Sequence, residues 1–74
     1  MFVNFVMKDK TLRPMIVTAV NDGSENGVVI LDGVNDKENL PSNVQVNLDM
    51  QTVCWVKNVE KGDGKTPGTW VEVV

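Results

Sequence analysis

Hydrophobic and polar residues alternate along this chain in short runs, and no stretch repeats apolar residues at helical spacing for three turns. The runs are rich in valine, isoleucine and threonine, which favour strands. The pattern predicts strands at residues 2–7, 15–20, 27–31, 44–48, 53–59 and 69–74. Short strands at this spacing, joined by turn formers, are typical of a small barrel. We therefore expect an all-β fold, a small antiparallel barrel of five to six strands that is either SH3-like or OB-like.

The segments between these runs are rich in turn-forming residues. Residues 21–27 place such residues between two apolar runs, which predicts a hairpin with Asp22 and Gly23 at its tip. Residues 32–43 are polar and predict one helical turn around 36–40, and residues 61–68 predict a mobile, charged loop. Because no repeat or linker interrupts the pattern, we expect a single domain over residues 1–74.

Two of the predicted strands are apolar on both faces. Residues 44–48 alternate between apolar and polar side chains, as in a strand with one solvent-exposed face. In contrast, residues 15–17 and 28–31 are apolar at every position. A small barrel has only one interior, so the second face of these strands needs another cover. We therefore expect a homo-oligomer, a dimer or a tetramer, in which neighbouring copies provide that cover.

The composition leaves oligomerisation as the simplest way to stabilise so short a chain. The 74 residues include one cysteine and no histidine, which excludes an intrachain disulfide and removes the commonest metal ligand. We expect no metal and no cofactor. The chain begins without a basic leader or a long apolar segment, and a lone cysteine suits a reducing compartment, so we expect a cytoplasmic protein that binds no membrane. The net charge of −3 argues against duplex nucleic acid as a partner, but it is compatible with a small anionic ligand.

The two tryptophans are candidates for stacking on a nucleobase, because an indole offers a flat face. Alternation places Trp70 on a polar face with Glu72, and it places Trp55 on the same face as Lys57. The alternative for each tryptophan is a half-buried position in the core or in an interface.

Arg13 is the single arginine of the chain and precedes Pro14, so the backbone there is extended and the guanidinium could be aimed at a phosphate or a purine edge. The alternative for Arg13 is a surface salt bridge. Asn35 and Asp36 could contact the polar edge of a ligand. Their loop lacks the spacing of a calcium site, because Val34 stands where an oxygen ligand is needed.

Residues 62–66, Gly-Asp-Gly-Lys-Thr, end like the phosphate-binding loop of NTPases. Val59 stands where that loop needs a glycine, and the proline and glycine that follow residue 66 prevent a helix, so nucleotide hydrolysis is not expected. A flexible hairpin loop is the alternative, although Lys65, Thr66 and the glycine-rich backbone could donate to an anion. Catalysis of any kind is not expected, since no acid–base pair is evident and Cys54 lies in an apolar strand without a base partner.

The order of several short motifs resembles a widespread family of small bacteriophage proteins. The shared landmarks are Arg13-Pro14 followed by an apolar strand, Asn26-Gly27, Asp32-Gly33 with Asn35-Asp36, Trp55-Val56, and Pro67-Gly68-Thr69-Trp70. That family often has histidine and then tryptophan after the closing tryptophan, where this chain has Val71 and Glu72.

The resemblance implies a non-enzymatic sponge, which would sequester a cyclic dinucleotide used by the bacterial host in anti-phage signalling and would act in the host cytoplasm. The ligand would be a small anionic nucleotide held between subunits. Its expected contacts are Arg13, Asn35, Asp36, Trp55, Lys65, Thr69 and Trp70. Two other hypotheses stay open, namely a small virion structural or decoration protein and a barrel that binds single-stranded nucleic acid.

Overall fold

A computed structural model describes residues 1–21, 23–42 and 52–73 of the chain. The described residues form five strands and one short 3-10 helix. In chain order these are β1 (Phe2–Val6), β2 (Leu12–Asn21), β3 (Ser24–Ile30), the 3-10 helix (Val34–Asn39), β4 (Val53–Lys61) and β5 (Thr69–Val71). The strand predicted at residues 44–48 lies outside the described residues.

The five strands close into a barrel in which sequence neighbours are also sheet neighbours, and β5 pairs back onto β1. This confirms the predicted all-β barrel. The β1–β2, β2–β3, β3–β4 and β1–β5 pairings are antiparallel, whereas β4 and β5 pair in parallel at Glu60–Thr69 and Lys61–Trp70. Because the described strands follow one another in sequential order, they lack the Greek-key connection of an OB-fold.

The predicted hairpin joins β2 to β3. Asn21 pairs with Ser24, so the chain reverses between these two residues, and Gly23 adopts a φ of 95° that suits glycine. The register shifts between Val17 and Ala19, as expected for a β-bulge. The strands approach so closely near Gly27 that a Cβ there would collide with the carbonyl oxygen of Ile16. Asp22 itself lies outside the described residues.

The barrel interior is filled by buried side chains from every strand. They are Val3, Phe5, Met7, Met15, Val29, Leu31, Leu40, Cys54, Val56, Val59 and Trp70. Because side chains of a strand alternate between its two faces, the burial of Met15 and Val29 turns Ile16, Val28 and Ile30 outward. Ile16 and Ile30 are each 37% exposed. β2 and β3 therefore carry apolar side chains on both faces, as predicted. The outward side chains are partly exposed to solvent in the single protomer.

Two connecting segments are tied to the barrel by backbone hydrogen bonds. The 3-10 helix, which confirms the predicted helical turn with a slightly earlier start, is held by Lys8 N donating to Asn39 O at 2.8 Å. The loop before β5 is held at both ends, where Gly62 N donates to Trp70 O at 2.8 Å and Gly68 N donates to Val6 O at 2.9 Å. In the described part of the chain, no helix has the length and apolar character needed to cross a membrane.

Candidate functional site

An open cleft of about 620 Å³ lies where β2 begins and the 3-10 helix packs beside it. We call it the Arg13 cleft. Its lining consists of Lys8, Asp9, Arg13, Asn35, Asp36, Glu38 and Asn39. The structure thus brings together three of the predicted site residues, Arg13, Asn35 and Asp36. Arg13 is more than 20 residues away from the other two in sequence. The three come together because the 3-10 helix packs against the turn that joins β1 to β2.

That turn is shaped by local hydrogen bonds to the carboxylate of Asp9. Its Oδ1 accepts from Thr11 N at 3.0 Å and from Thr11 Oγ1 at 2.5 Å, while Lys10 takes a φ of 73°. Asp9 N in turn donates to Asn39 Oδ1 at 3.0 Å, which links the turn to the 3-10 helix. The side-chain hydrogen bond from Thr11, followed by the one from Asn39, lowers the pKa of Asp9 to about 2. The sequence analysis missed Asp9, although an Asp-x-Thr turn could have been read from the sequence.

Arg13 uses most of its donors within the chain. Its Nε donates to Asp36 Oδ2 at 2.7 Å and its Nη2 donates to Asp36 Oδ1 at 3.1 Å, which is a bidentate ion pair. Its Nη1 donates to Thr11 Oγ1 at 3.1 Å and to Leu12 O at 2.9 Å. The hydrogen bond to Asp36 raises the pKa of Arg13, and the same bond lowers the pKa of Asp36. The structure therefore contains the salt bridge that was the alternative for Arg13, and a role in phosphate binding stays a prediction.

The charge of the Arg13 cleft does not favour an anion. Its lining carries two cationic and three acidic side chains, a net charge of −1. Asp36 also accepts a hydrogen bond from Asp32 N at 2.8 Å, so its carboxylate is fixed in the cleft. A phosphate that approached the guanidinium would therefore meet the Asp36 carboxylate already bound there.

A second depression, of about 360 Å³, lies on the other side of Arg13. It is lined by the apolar residues Leu12, Pro14, Ile30 and Leu31 and by the charged residues Arg13 and Asp32. This depression opens toward the outward side chains of β2 and β3, and it connects the barrel end to the outer face of the sheet.

Lys65 lies in the loop between β4 and β5, and it does not line the Arg13 cleft. Asp63 Oδ1 accepts from Lys65 N at 2.9 Å, from Thr66 N at 3.1 Å and from Thr66 Oγ1 at 3.2 Å. The backbone bond from Lys65 is the main reason that the pKa of Asp63 is lowered. The backbone donors that were predicted to bind an anion are thus occupied by a carboxylate of the same loop. Thr69 Oγ1 is also engaged, since it donates to Thr66 O at 2.6 Å.

Trp70 belongs to the barrel core. It is only 9% exposed and pairs in register with Phe5, so the prediction that it shares a polar outer face with Glu72 is wrong. The physical reason is that β5 has a neighbour on both sides, and Trp70 takes the inward position of this three-residue strand. Lys61 Nζ lies 5.6 Å from the centroid of the indole. Among the residues that the structure describes, Trp70 Nε1 and Glu25 Oε2 are buried without a hydrogen-bond partner.

Trp55 lies on the outer face of the barrel and is half-buried. It stands between the inward residues Cys54 and Val56, and it pairs with Val28 of β3. Of the two tryptophans, Trp55 is therefore the one whose ring is open to a ligand.

The outward side chains of β2, β3 and β4 form one apolar surface around Trp55. Ile16 pairs with Val28, Val28 pairs with Trp55, and Ile30 pairs with Val53. Pro14 adjoins Ile30 across the second depression. We call this surface the outer apolar face, and its members are Pro14, Ile16, Val28, Ile30, Val53 and Trp55. Phe2, which is 60% exposed and pairs with Ile16, extends it onto β1.

Two observations on the described residues bear on catalysis and on metal binding. Cys54 is buried, and that burial raises the pKa of its thiol. Within residues 1–21, 23–42 and 52–73, no three potential metal ligands come together. Comparisons with protein-family models, with curated proteins and with solved structures found no match to this chain.

Proposed function

We propose that this chain is a non-enzymatic binding protein that captures a nucleotide by stacking a base on Trp55, and that it serves as a phage sponge for a cyclic dinucleotide signal of the host. The observation that carries the proposal is the partly exposed indole of Trp55 on an uncharged, apolar sheet face. A base stacked on an aromatic ring is stabilised by about 1–3 kcal/mol and leaves its phosphates at the edge of the platform.

The surroundings of Trp55 suit such a ligand better than the Arg13 cleft does. Lys57 is exposed and lies two residues farther along β4, on the same side of the strand, where its ammonium group can meet a phosphate. Arg13 is held by Asp36, so in this proposal it supports the fold beside the site.

The motifs that resemble the phage family include residues that shape or fill the barrel. In the closing Pro-Gly-Thr-Trp segment, Gly68 has a φ of 83° and donates to Val6 O, while Trp70 fills the core. Only the Trp55-Val56 landmark places a ring on the outer face. The sponge proposal therefore predicts that ligand affinity depends on Trp55.

The test is a thermal-shift panel of cyclic dinucleotides and linear nucleotides against the wild type, Trp55→Ala and Trp55→Phe. A ligand at about one hundred times its Kd adds about 2.7 kcal/mol to the stability of the native state, which raises the Tm of a domain of this size by about 10 °C or more. We expect this shift for the wild type, a reduced shift for Trp55→Phe and none for Trp55→Ala. The ligand should be recovered unchanged after heat denaturation.

Val34→Ala serves as the control, because Val34 is an exposed apolar residue outside the outer apolar face. It should leave the ligand-induced shift unchanged. The proposal fails if no nucleotide shifts the Tm of the wild type, or if Trp55→Ala responds as the wild type does. A chemically altered ligand would identify an enzyme instead.

The apolar character of the same face favours a second candidate, a small structural or decoration protein of the virion. In that case the outer apolar face would contact other virion proteins, no nucleotide would raise the Tm, and the chain would be abundant in purified particles. A barrel for single-stranded nucleic acid fits less well, because the net charge is −3 and Trp55 is the one tryptophan with an open ring.

A further inference from the structure

We infer that the outer apolar face is the interface of a homodimer, formed by two β2–β3–β4 sheets that pack face to face. This inference does not depend on the proposed ligand. It starts from the pattern of charge. Charged residues make up 23% of the chain, yet the outward residues of β2 and β3 that continue the face, Thr18 and Asn26, are uncharged as well, and Lys57 is the charged residue that borders it on β4. Depletion of charge at the centre of a patch is typical of protein interfaces, whereas single exposed apolar residues are ordinary.

The size of the protomer is sufficient for such an interface. A stable homodimer buries about 800 Å² on each partner, which is less than a fifth of the 4564 Å² that the protomer exposes. The protomer measures 29 by 21 by 20 Å, and β2 with its ten residues is long enough to span the longest dimension.

The face can also complement a copy of itself. It is a grid of two rows, in which Ile16, Val28 and Trp55 form one row and their neighbours Pro14, Ile30 and Val53 form the other. A twofold axis along β3 sets Val28 and Ile30 each against the same residue of the second copy, and it sets Ile16 against the partner's Trp55.

This arrangement has a consequence for Trp55, which stands at the border of the grid beside Lys57. The axis sets each Trp55 against Ile16 of the second copy and places the two Trp55 side chains on opposite sides of β3. A dimer of this kind therefore carries two separate Trp55 positions, each faced by the second copy.

The test is the mass of the ligand-free protein by analytical ultracentrifugation at micromolar concentrations. We expect twice the 8.2 kDa of the chain for the wild type. Ile30→Lys should give a monomer, because the axis sets two like charges together. Val20→Lys is the matched control, since Val20 is an exposed residue of β2 outside the face, and this variant should stay dimeric. Circular dichroism of each variant checks that the barrel is folded.

A milder variant covers the case in which Ile30→Lys does not fold. Ile16→Thr keeps a β-branched side chain and should raise the dimer Kd at least about tenfold, which corresponds to about 1.4 kcal/mol. A monomeric wild type at the highest concentrations would overturn the inference, as would folded Ile30→Lys or Ile16→Thr variants that associate as tightly as the wild type. A monomeric Ile30→Lys variant that still binds nucleotide weakly would leave base stacking on Trp55 intact, whereas a dimeric wild type that no nucleotide stabilises would contradict the proposed ligand alone, so the two failures can be told apart.

Discussion

Replacing Asp36 with alanine tests whether Arg13 belongs to the fold or to a ligand site. The change removes three hydrogen bonds at once, two from Arg13 and one from Asp32 N. A hydrogen bond contributes about 1 kcal/mol net to stability, and we use this value for each of the three bonds because the pair lies near the surface of a small domain. The side chains of Arg13 and Asp36 are 18% and 9% exposed, so solvent screens the pair only in part. We expect Asp36→Ala to lower the free energy of unfolding by about 3 kcal/mol.

A double-mutant cycle isolates the contribution of the pair itself. Arg13→Met keeps the apolar stem of the side chain, and the cycle consists of Arg13→Met, Asp36→Ala and the double variant. Urea unfolding can be followed by tryptophan fluorescence, because the indole of Trp70 is buried in the core. We expect a coupling energy of about 1–2 kcal/mol between the two positions.

The chain provides its own control for this cycle. Lys61 and Glu72 also form an ion pair, at 3.2 Å, but their side chains are 55% and 73% exposed. Their coupling energy should stay below about 0.5 kcal/mol, as is usual for exposed pairs. If Arg13 and Asp36 couple no more strongly than Lys61 and Glu72, the argument that the fold occupies the guanidinium is refuted, and Arg13 is again available for a phosphate.

Two further predictions concern the loops. Gly62→Ala should lower the free energy of unfolding in urea by about 2–3 kcal/mol. The new Cβ would lie 2.7 Å from Thr69 Cβ and closer still to Thr69 Oγ1. A loss below about 0.5 kcal/mol would contradict this prediction. The Tm should also fall with decreasing pH. Since the pKa of Asp9 is about 2 in the folded state and about 3.9 when unfolded, its contribution is present above pH 4 and is lost as the pH falls from about 4 to 2. Asp9→Asn should flatten the decline over this range, and an unchanged slope would show that the Thr11 and Asn39 contacts do not matter.

The strands and the hairpin could be predicted from the sequence because the information that places them is local. Apolar runs with a period of two define strands, and the turn formers at residues 21–27 define where β2 reverses into β3. The pairing of β4 with β5 in parallel could not be predicted. It depends on how the loop at residues 62–68 returns along the barrel, which is set by contacts with Val6 and Trp70.

The state of the candidate site residues was harder to predict, because each one depends on a partner. Arg13 looked available for a phosphate, and only the folded chain brings Asp36 to it from 23 residues away. Trp70 was placed by alternation with Val71, but alternation does not say which face is inside when the strand has only three residues. The backbone donors at Lys65 and Thr66 were expected to be available to an anion, although Asp63 shortly before them is a common local acceptor in turns and could have been identified from the sequence.

These internal contacts limit how tightly one protomer can hold a nucleotide. With Arg13 bound to Asp36 and the loop donors bound to Asp63, Trp55 and Lys57 remain as the main contacts on the outer face. One stacked base contributes about 1–3 kcal/mol, whereas even a millimolar Kd requires about 4 kcal/mol and a micromolar Kd about 8 kcal/mol. A sponge must hold its ligand far more tightly than a single platform allows. Trp55 stacks one base only, so further contacts to the ligand have to come from a second copy of the chain, which faces each Trp55 in the inferred dimer. The sponge proposal consequently needs an oligomer, and a protein that is strictly monomeric with ligand present would have to be assigned another function.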